Sequence, residues 1–122
     1  MKVRDYVRTK NKQFQPSQIA KIKKIEKDMV YKGQKCLNLD HNLLNNYEFL
    51  IYEEDVIKSS PNIIDLIEVG DYVNGHTVKM IKEDKSKIDI GEGEDYFWLR
   101  NQDIISVVTK EQFESMEYKV GD

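Results

Sequence analysis

One short phrase occurs twice in this chain. Val3-Arg4-Asp5-Tyr6-Val7 and Val69-Gly70-Asp71-Tyr72-Val73 differ at a single position. Two further pairs of segments follow in the same order. Leu37-Asn38-Leu39 matches Ile88-Asp89-Ile90, and "FLIYEEDVI" at 49–57 matches "FWLRNQDII" at 97–105, where Phe49/Phe97, Asp55/Asp103 and Ile57/Ile105 coincide. The separation falls from 66 residues at the first match to 48 at the last, so the first copy is 18 residues longer. An internal repeat restricts the fold before any strand is assigned, because each copy must build the same unit. Residue 67 thus reads as the start of a second copy. Asp5 and Asp71 are expected to share one turn-and-strand role, Tyr6 and Tyr72 to be equivalent, and Val7 and Val73 both to be buried.

The local signals within each copy are those of short strands. Ile19, Ala20, Ile22 and Ile25 interleave with Lys21, Lys23 and Lys24 as in a twisted strand with one wet face, and Cys36 to Asp40 alternates with period two. Gly33, Asn45-Asn46, Asn74-Gly75 and Gly91-Glu92-Gly93 supply turns. About five strands in each copy give the rhythm of a small barrel. The expected fold is all-β: two tandem duplicated SH3-like small barrels with a short C-terminal helix. Residues 1–58 form the first barrel, 59–67 a linker with one helical turn after Pro61, 68–108 the second barrel, and 109–122 the helix and tail. Thr109 to Gln112 fits a capping box at that helix, with Phe113 and Met116 on one face and the helix plugging a barrel mouth.

Apolar residues are 39% and charged residues 34% of the 122, which suits a soluble globular chain. Met1 is followed by Lys2, Arg4 and Asp5 rather than by an apolar stretch, so the expectation is an intracellular protein, cytoplasmic in a bacterial host cell, with no membrane role. Cys36 is a single cysteine and reads as a strand residue. With only His41 and His76 there is no Cys/His set at zinc spacing.

Charge divides unevenly. Residues 1–35 carry 11 Lys/Arg against 3 acids, and the remainder carries 8 against 19, within a net charge of −3. Either the protein offers a basic and an acidic face to partners of opposite sign, or its two halves lie side by side and neutralise each other.

The segments "IKSSPNIIDLIEVGDYVNG" (57–75) and "VVTKEQFESMEYKVGD" (107–122) closely resemble a group of small proteins encoded in phages and prophages of low-GC Gram-positive bacteria, with a looser likeness in "MKVRDYVRTKN". The resemblance implies a phage or prophage context, in which small non-enzymatic proteins bind and redirect host machinery or defences. It carries no catalytic motif and no cofactor.

Catalysis has no motif to rest on. No nucleophile and base stand at a recognisable spacing, and "GEGED" at 91–95 lacks the spacing and following helix of a phosphate loop. Asp89, Glu92, Glu94 and Asp95 miss EF-hand spacing and read as a solvated acidic hairpin tip. The leading expectation is a non-enzymatic binding protein, an anti-CRISPR-like inhibitor of a host nucleic-acid-handling or defence protein. An acidic surface of Glu53, Glu54, Asp55, Glu92, Glu94 and Asp95, with Trp98 and Arg100 as anchors, would occupy the basic channel of that protein. Trp98 has a plainer alternative, filling the core of the second barrel. In strict alternation Phe97 and Leu99 share one face, and Tyr96, Trp98 and Arg100 the other. A second reading is a nucleic-acid-binding module using Arg4, Arg8, Lys10, Lys12, Lys21, Lys23 and Lys24 beside Tyr6 and Phe14. A third is a sponge for a small anionic signal, held in a pocket between the barrels.

Overall fold

The computed structural model describes residues 1–12, 15–31, 34–40 and 49–116. The expectations that fall on Phe14, Gly33, His41, Asn45-Asn46 and the tail after Met116 lie outside the described residues. The lysine-isoleucine alternation forms β2 (Ile19–Tyr31), which pairs on one side with β1 (Tyr6–Thr9) and on the other with β3 (Gln34–Asp40). β4 (Phe49–Tyr52) adds to β3, and β5 (Val56–Ser60), reached through a 3-10 turn at Glu53–Asp55, pairs with β1. The result is one antiparallel five-stranded sheet, ordered β4-β3-β2-β1-β5. Its buried face collects Val7, Ala20, Ile22, Leu37, Leu39 and Ile51. Fully burying such a side chain contributes about 1.5–3 kcal/mol.

After a second 3-10 turn at Ile63–Leu66 come six two-residue strands: β6 (Tyr72–Val73), β7 (His76–Thr77), β8 (Met80–Ile81), β9 (Ile88–Asp89), β10 (Trp98–Leu99) and β11 (Val107–Val108). They make two antiparallel sheets, β10-β9-β8 and β11-β6-β7. The break falls at Val78 and Lys79. Val78 N–H donates to the Asp71 carbonyl on one side and Lys79 N–H to the Asp89 carbonyl on the other, so the chain turns from one sheet into the next between them. Ile64, Ile67, Val73, Val78, Ile88, Ile90 and Leu99 form the core beneath both sheets. Three antiparallel sheets and one short α-helix make the chain mostly β, as expected; among the described residues no sheet closes into a barrel.

The segment expected as a linker is shared between the first sheet and the second core. Ser59 and Ser60 are strand residues of β5, whereas Ile64 and Ile67 belong to the second core.

Several bonds recur at the repeated segments. Asp5 N–H donates to the Lys2 carbonyl and Asp71 N–H to the Glu68 carbonyl, while the two carboxylates accept from Lys2 N–H and Glu68 N–H. Both turns need a positive φ at their third residue, 76° at Arg4 and 97° at Gly70. Each then receives the same ladder: Arg4 N–H reaches Ile22 O and Ile22 N–H reaches Asp5 O, as Gly70 N–H reaches Val78 O and Val78 N–H reaches Asp71 O. Leu37 faces Ile51 as Ile88 faces Leu99, and Val7 faces Ser59 as Val73 faces Val107. Tyr52 N–H and Arg100 N–H donate to Asp55 and Asp103, three residues on, closing 3-10 turns at Glu53–Asp55 and Asn101–Asp103. Val7 and Val73 are both fully buried.

The helix α1 (Lys110–Met116) has the expected capping box, with Thr109 N–H donating to the Gln112 side chain and Gln112 N–H donating to Thr109 Oγ1. Its Phe113 ring stacks on Tyr72 at 4.2 Å, so the helix lies against β6.

Candidate functional site

The loop joining β9 to β10 is fixed from beneath by one carboxylate. Asp89 is buried, and its Oδ1 accepts N–H bonds from both Gly91 and Phe97 at 2.9 Å. The Phe97 amide holds this carboxyl below its ordinary value; burial opposes the shift, and the Gly91 amide and Lys79 reinforce it. Asp95 N–H closes a turn onto the Glu92 carbonyl, and Lys79 Nζ reaches the Gly93 carbonyl at 3.1 Å. Gly91 is required by space, because a Cβ there would be driven into the Asp95 carbonyl oxygen. The loop is therefore set before any partner arrives, which removes part of the ordering cost of binding.

What this loop displays is aromatic and acidic. Tyr96 is 67% and Phe97 58% exposed, and Glu92, Glu94 and Asp95 are exposed around them. A cleft of about 420 Å³ opens beside these rings, walled by Ile90, Phe97 and Leu99 and edged by Asn74, His76, Glu92 and Asp95. His76 Nδ1 lies 3.9 Å from Glu92 Oε1. Ile105, 89% exposed, adjoins this region through Asn74, whose Oδ1 accepts the Ile105 and Ser106 N–H groups.

Trp98 does not fill the core. It is half-buried, stacked parallel to Tyr96 at 5.8 Å, with Lys82 Nζ 4.8 Å above its ring. Arg100 is exposed. In the other half of the expected acidic surface, Glu53 and Asp55 are bonded within the first half of the chain. Asp55 accepts from Lys12 Nζ at 2.6 Å and from Tyr52 N–H, and Glu53 accepts from Lys35 N–H. Burial raises the Asp55 carboxyl, but the bonds from Lys12 and Tyr52 and the charges of Lys12 and Lys10 outweigh it and leave the group lowered. Glu54 is exposed.

The basic set is also divided. Arg8 is a buried residue, 1% exposed, and this corrects its place on a phosphate-binding face. Its Nη1 donates to Asp71 Oδ2 at 2.6 Å and to the Leu66 carbonyl, its Nη2 to Asp71 Oδ1 and Glu111 Oε2, and its Nε pairs with Glu68 Oε2 at 3.2 Å. All five guanidinium N–H groups have an oxygen partner. Burial lowers the Arg8 pKa, and the bond and charge of Asp71, with Glu68 and Glu111, more than reverse it. Lys12 is paired with Asp55, and Lys24 with Glu26 at 3.3 Å. Arg4, Lys10, Lys21 and Lys23 stay exposed, with Lys21 Nζ 5.5 Å from the Tyr6 ring centroid. A second cleft of about 400 Å³ runs along the seam between the halves, walled by Tyr6, Ile19, Lys21, Ile63 and Val107.

Sequence reasoning located Glu92, Glu94, Asp95 and Trp98 but passed over Asn74, His76, Ile90 and Phe97 as parts of one cleft. The available signal was the pair Gly91 and Gly93 set between an alternating strand and a run of three aromatics.

No family model, curated protein or solved structure matches the chain. Among the described residues no helix is long and apolar enough to cross a membrane.

Proposed function

We propose that the chain is a tandem duplication of one SH3-like unit, fused across the Arg8 cluster, and that it acts as a non-enzymatic binding protein of phage or prophage origin. The recurring bonds of the Lys2–Asp5 and Glu68–Asp71 turns support the duplication. The binding face is the β9–β10 loop, and its target is a basic surface of a host nucleic-acid-handling or defence protein, which it occludes. One observation carries this reading: Tyr96 and Phe97 are held exposed, on a loop already fixed by Asp89, in the midst of three exposed carboxylates. Aromatic anchors supply affinity, and matched charge supplies association rate and specificity.

Changing Glu92, Glu94 and Asp95 together to lysine tests it. In capture from nuclease-treated host lysate, this variant should lose the partner that the wild type retains, and raised salt should weaken the wild-type complex through screening over about 8–10 Å. The exposed Lys21 beside Tyr6 favours a second reading, nucleic-acid binding by the first sheet. Under that reading, nuclease treatment abolishes capture, and changing Lys21, Lys23 and Lys24 to glutamate removes binding to single-stranded oligonucleotides.

A further inference from the structure

We propose that the cleft beside Phe97 takes a single lysine or arginine side chain presented by a protein partner. This rests on the acidic-face reading above and names its anchor. The lining combines apolar side chains against which a stem would pack, Ile90, Phe97 and Leu99, with two carboxylates that would pair with a charged head, Glu92 and Asp95. A long cationic side chain has that same division, an aliphatic stem and a charged tip. Neither an aliphatic nor an acidic side chain matches both ends. The ring faces of Tyr96 and Phe97 add attraction for a cation that comes within about 6 Å.

Among the described residues no lysine or arginine lines the cleft. Lys79 is drawn to the Gly93 carbonyl and Lys82 sits over Trp98, and neither lines the cleft. Among the described residues His76 is the one basic side chain at its edge, 3.9 Å from Glu92. The volume of about 420 Å³ accommodates one such side chain with part of its flanking backbone. Asp89 and Gly91 fix the loop backbone before an occupant arrives.

The test uses the full chain, isotope-labelled, titrated with the capped peptide Ile-Arg-Ile and with the same peptide carrying citrulline, which keeps the shape of arginine and removes its charge. The arginine peptide should shift the amide resonances of Ile90, Gly91 and Phe97, and the citrulline peptide should bind at least about tenfold more weakly. The double substitution Glu92→Gln with Asp95→Asn should remove most of that tenfold preference, and Phe97→Ala should weaken both peptides, the arginine peptide the more. Equal binding of the two peptides, shifts confined to Tyr6 and Lys21, or no shift at all would overturn the anchor. If the peptide fails while the triple-lysine variant still loses its lysate partner, the anchor alone is wrong. If that variant keeps its partner, the acidic-face reading falls with it.

Discussion

The turns that lead into β1 and β6 make the same hydrogen bonds and come to opposite uses. At Lys2–Asp5 the carboxylate is half-exposed and serves only its own turn. At Glu68–Asp71 it is fully buried, accepts Glu68 N–H and Lys110 N–H, and grips Arg8 with both oxygens. One backbone device thus opens a strand in one place and joins two halves of a molecule in the other. The difference lies in what packs outside the turn, not in the turn.

The largest expected effect separates these two aspartates. Asp71→Ala leaves the Arg8 guanidinium buried without its chief counter-charge and should cost about 3–5 kcal/mol, whereas Asp5→Ala loses one exposed bond worth about 0.5–1.5 kcal/mol. Urea denaturation of both variants measures the gap. Equal losses would break the comparison. Replacing the pair together, Arg8→Met with Asp71→Leu, should recover part of the stability, because no guanidinium is then stranded, while Glu68 N–H and Lys110 N–H still lose their acceptor.

A second pair sharpens the same point in the strands. Asn38 and Asp89 are buried polar residues facing Leu50 and Trp98, yet Asp89 fixes a loop while Asn38 Oδ1 has no partner among the described residues. Asp89→Ala should therefore destabilise by about 1–3 kcal/mol and Asn38→Leu should be close to neutral. The Asp89 carboxyl is lowered in the fold, so its contribution is complete above the unfolded value of about 3.9 and is lost as pH falls through the lower folded value. Thermal melts from neutral pH downward should show a smaller acid loss in Asp89→Asn than in wild type. An unchanged acid limb would rule out this role.

The smallest effect concerns the positive-φ residues. Gly70→Ala places a side chain at φ 97° and should cost about 1–2 kcal/mol, whereas Arg4→Gly, at φ 76°, relieves strain while loosening the unfolded chain and should stay within about 0.5 kcal/mol of neutral. Calorimetry of the two variants makes the comparison, and a larger loss at Arg4 would reverse it.

What was legible in the sequence was local. The Asn74-Gly75 turn, the Thr109 capping box, Cys36 in a strand and the paired burial of Val7 and Val73 each follow from neighbours a few residues away or from the repeated phrase. Arg8 was not legible, because the oxygens that bury it stand at residues 66, 68, 71 and 111, and a charged residue on a lysine-rich segment otherwise reads as solvated. Strict alternation placed Tyr96 with Trp98, as their stacking has it, but put Phe97 with buried Leu99. Strand β10 begins only at Trp98, so Phe97 belongs to the loop and turns outward. The acidic tip was legible as exposed carboxylates, while the cleft beneath it depends on one bond acceptor, Asp89, whose role the sequence left among several carboxylates.

The Arg8 cluster also sets a timetable. Arg8 emerges from the ribosome 103 residues ahead of Glu111. Until Glu68, Asp71 and then Glu111 are made, the Arg8 guanidinium of the first sheet lacks the counter-charges of the folded protein, and Thr109 has yet to donate to the Ser17 carbonyl. Such distant pairings are slow to form and bind the halves into one cooperative transition. The nascent first half is thus a protein waiting for its second, and refolding should show a single late step in which both cores become protected together.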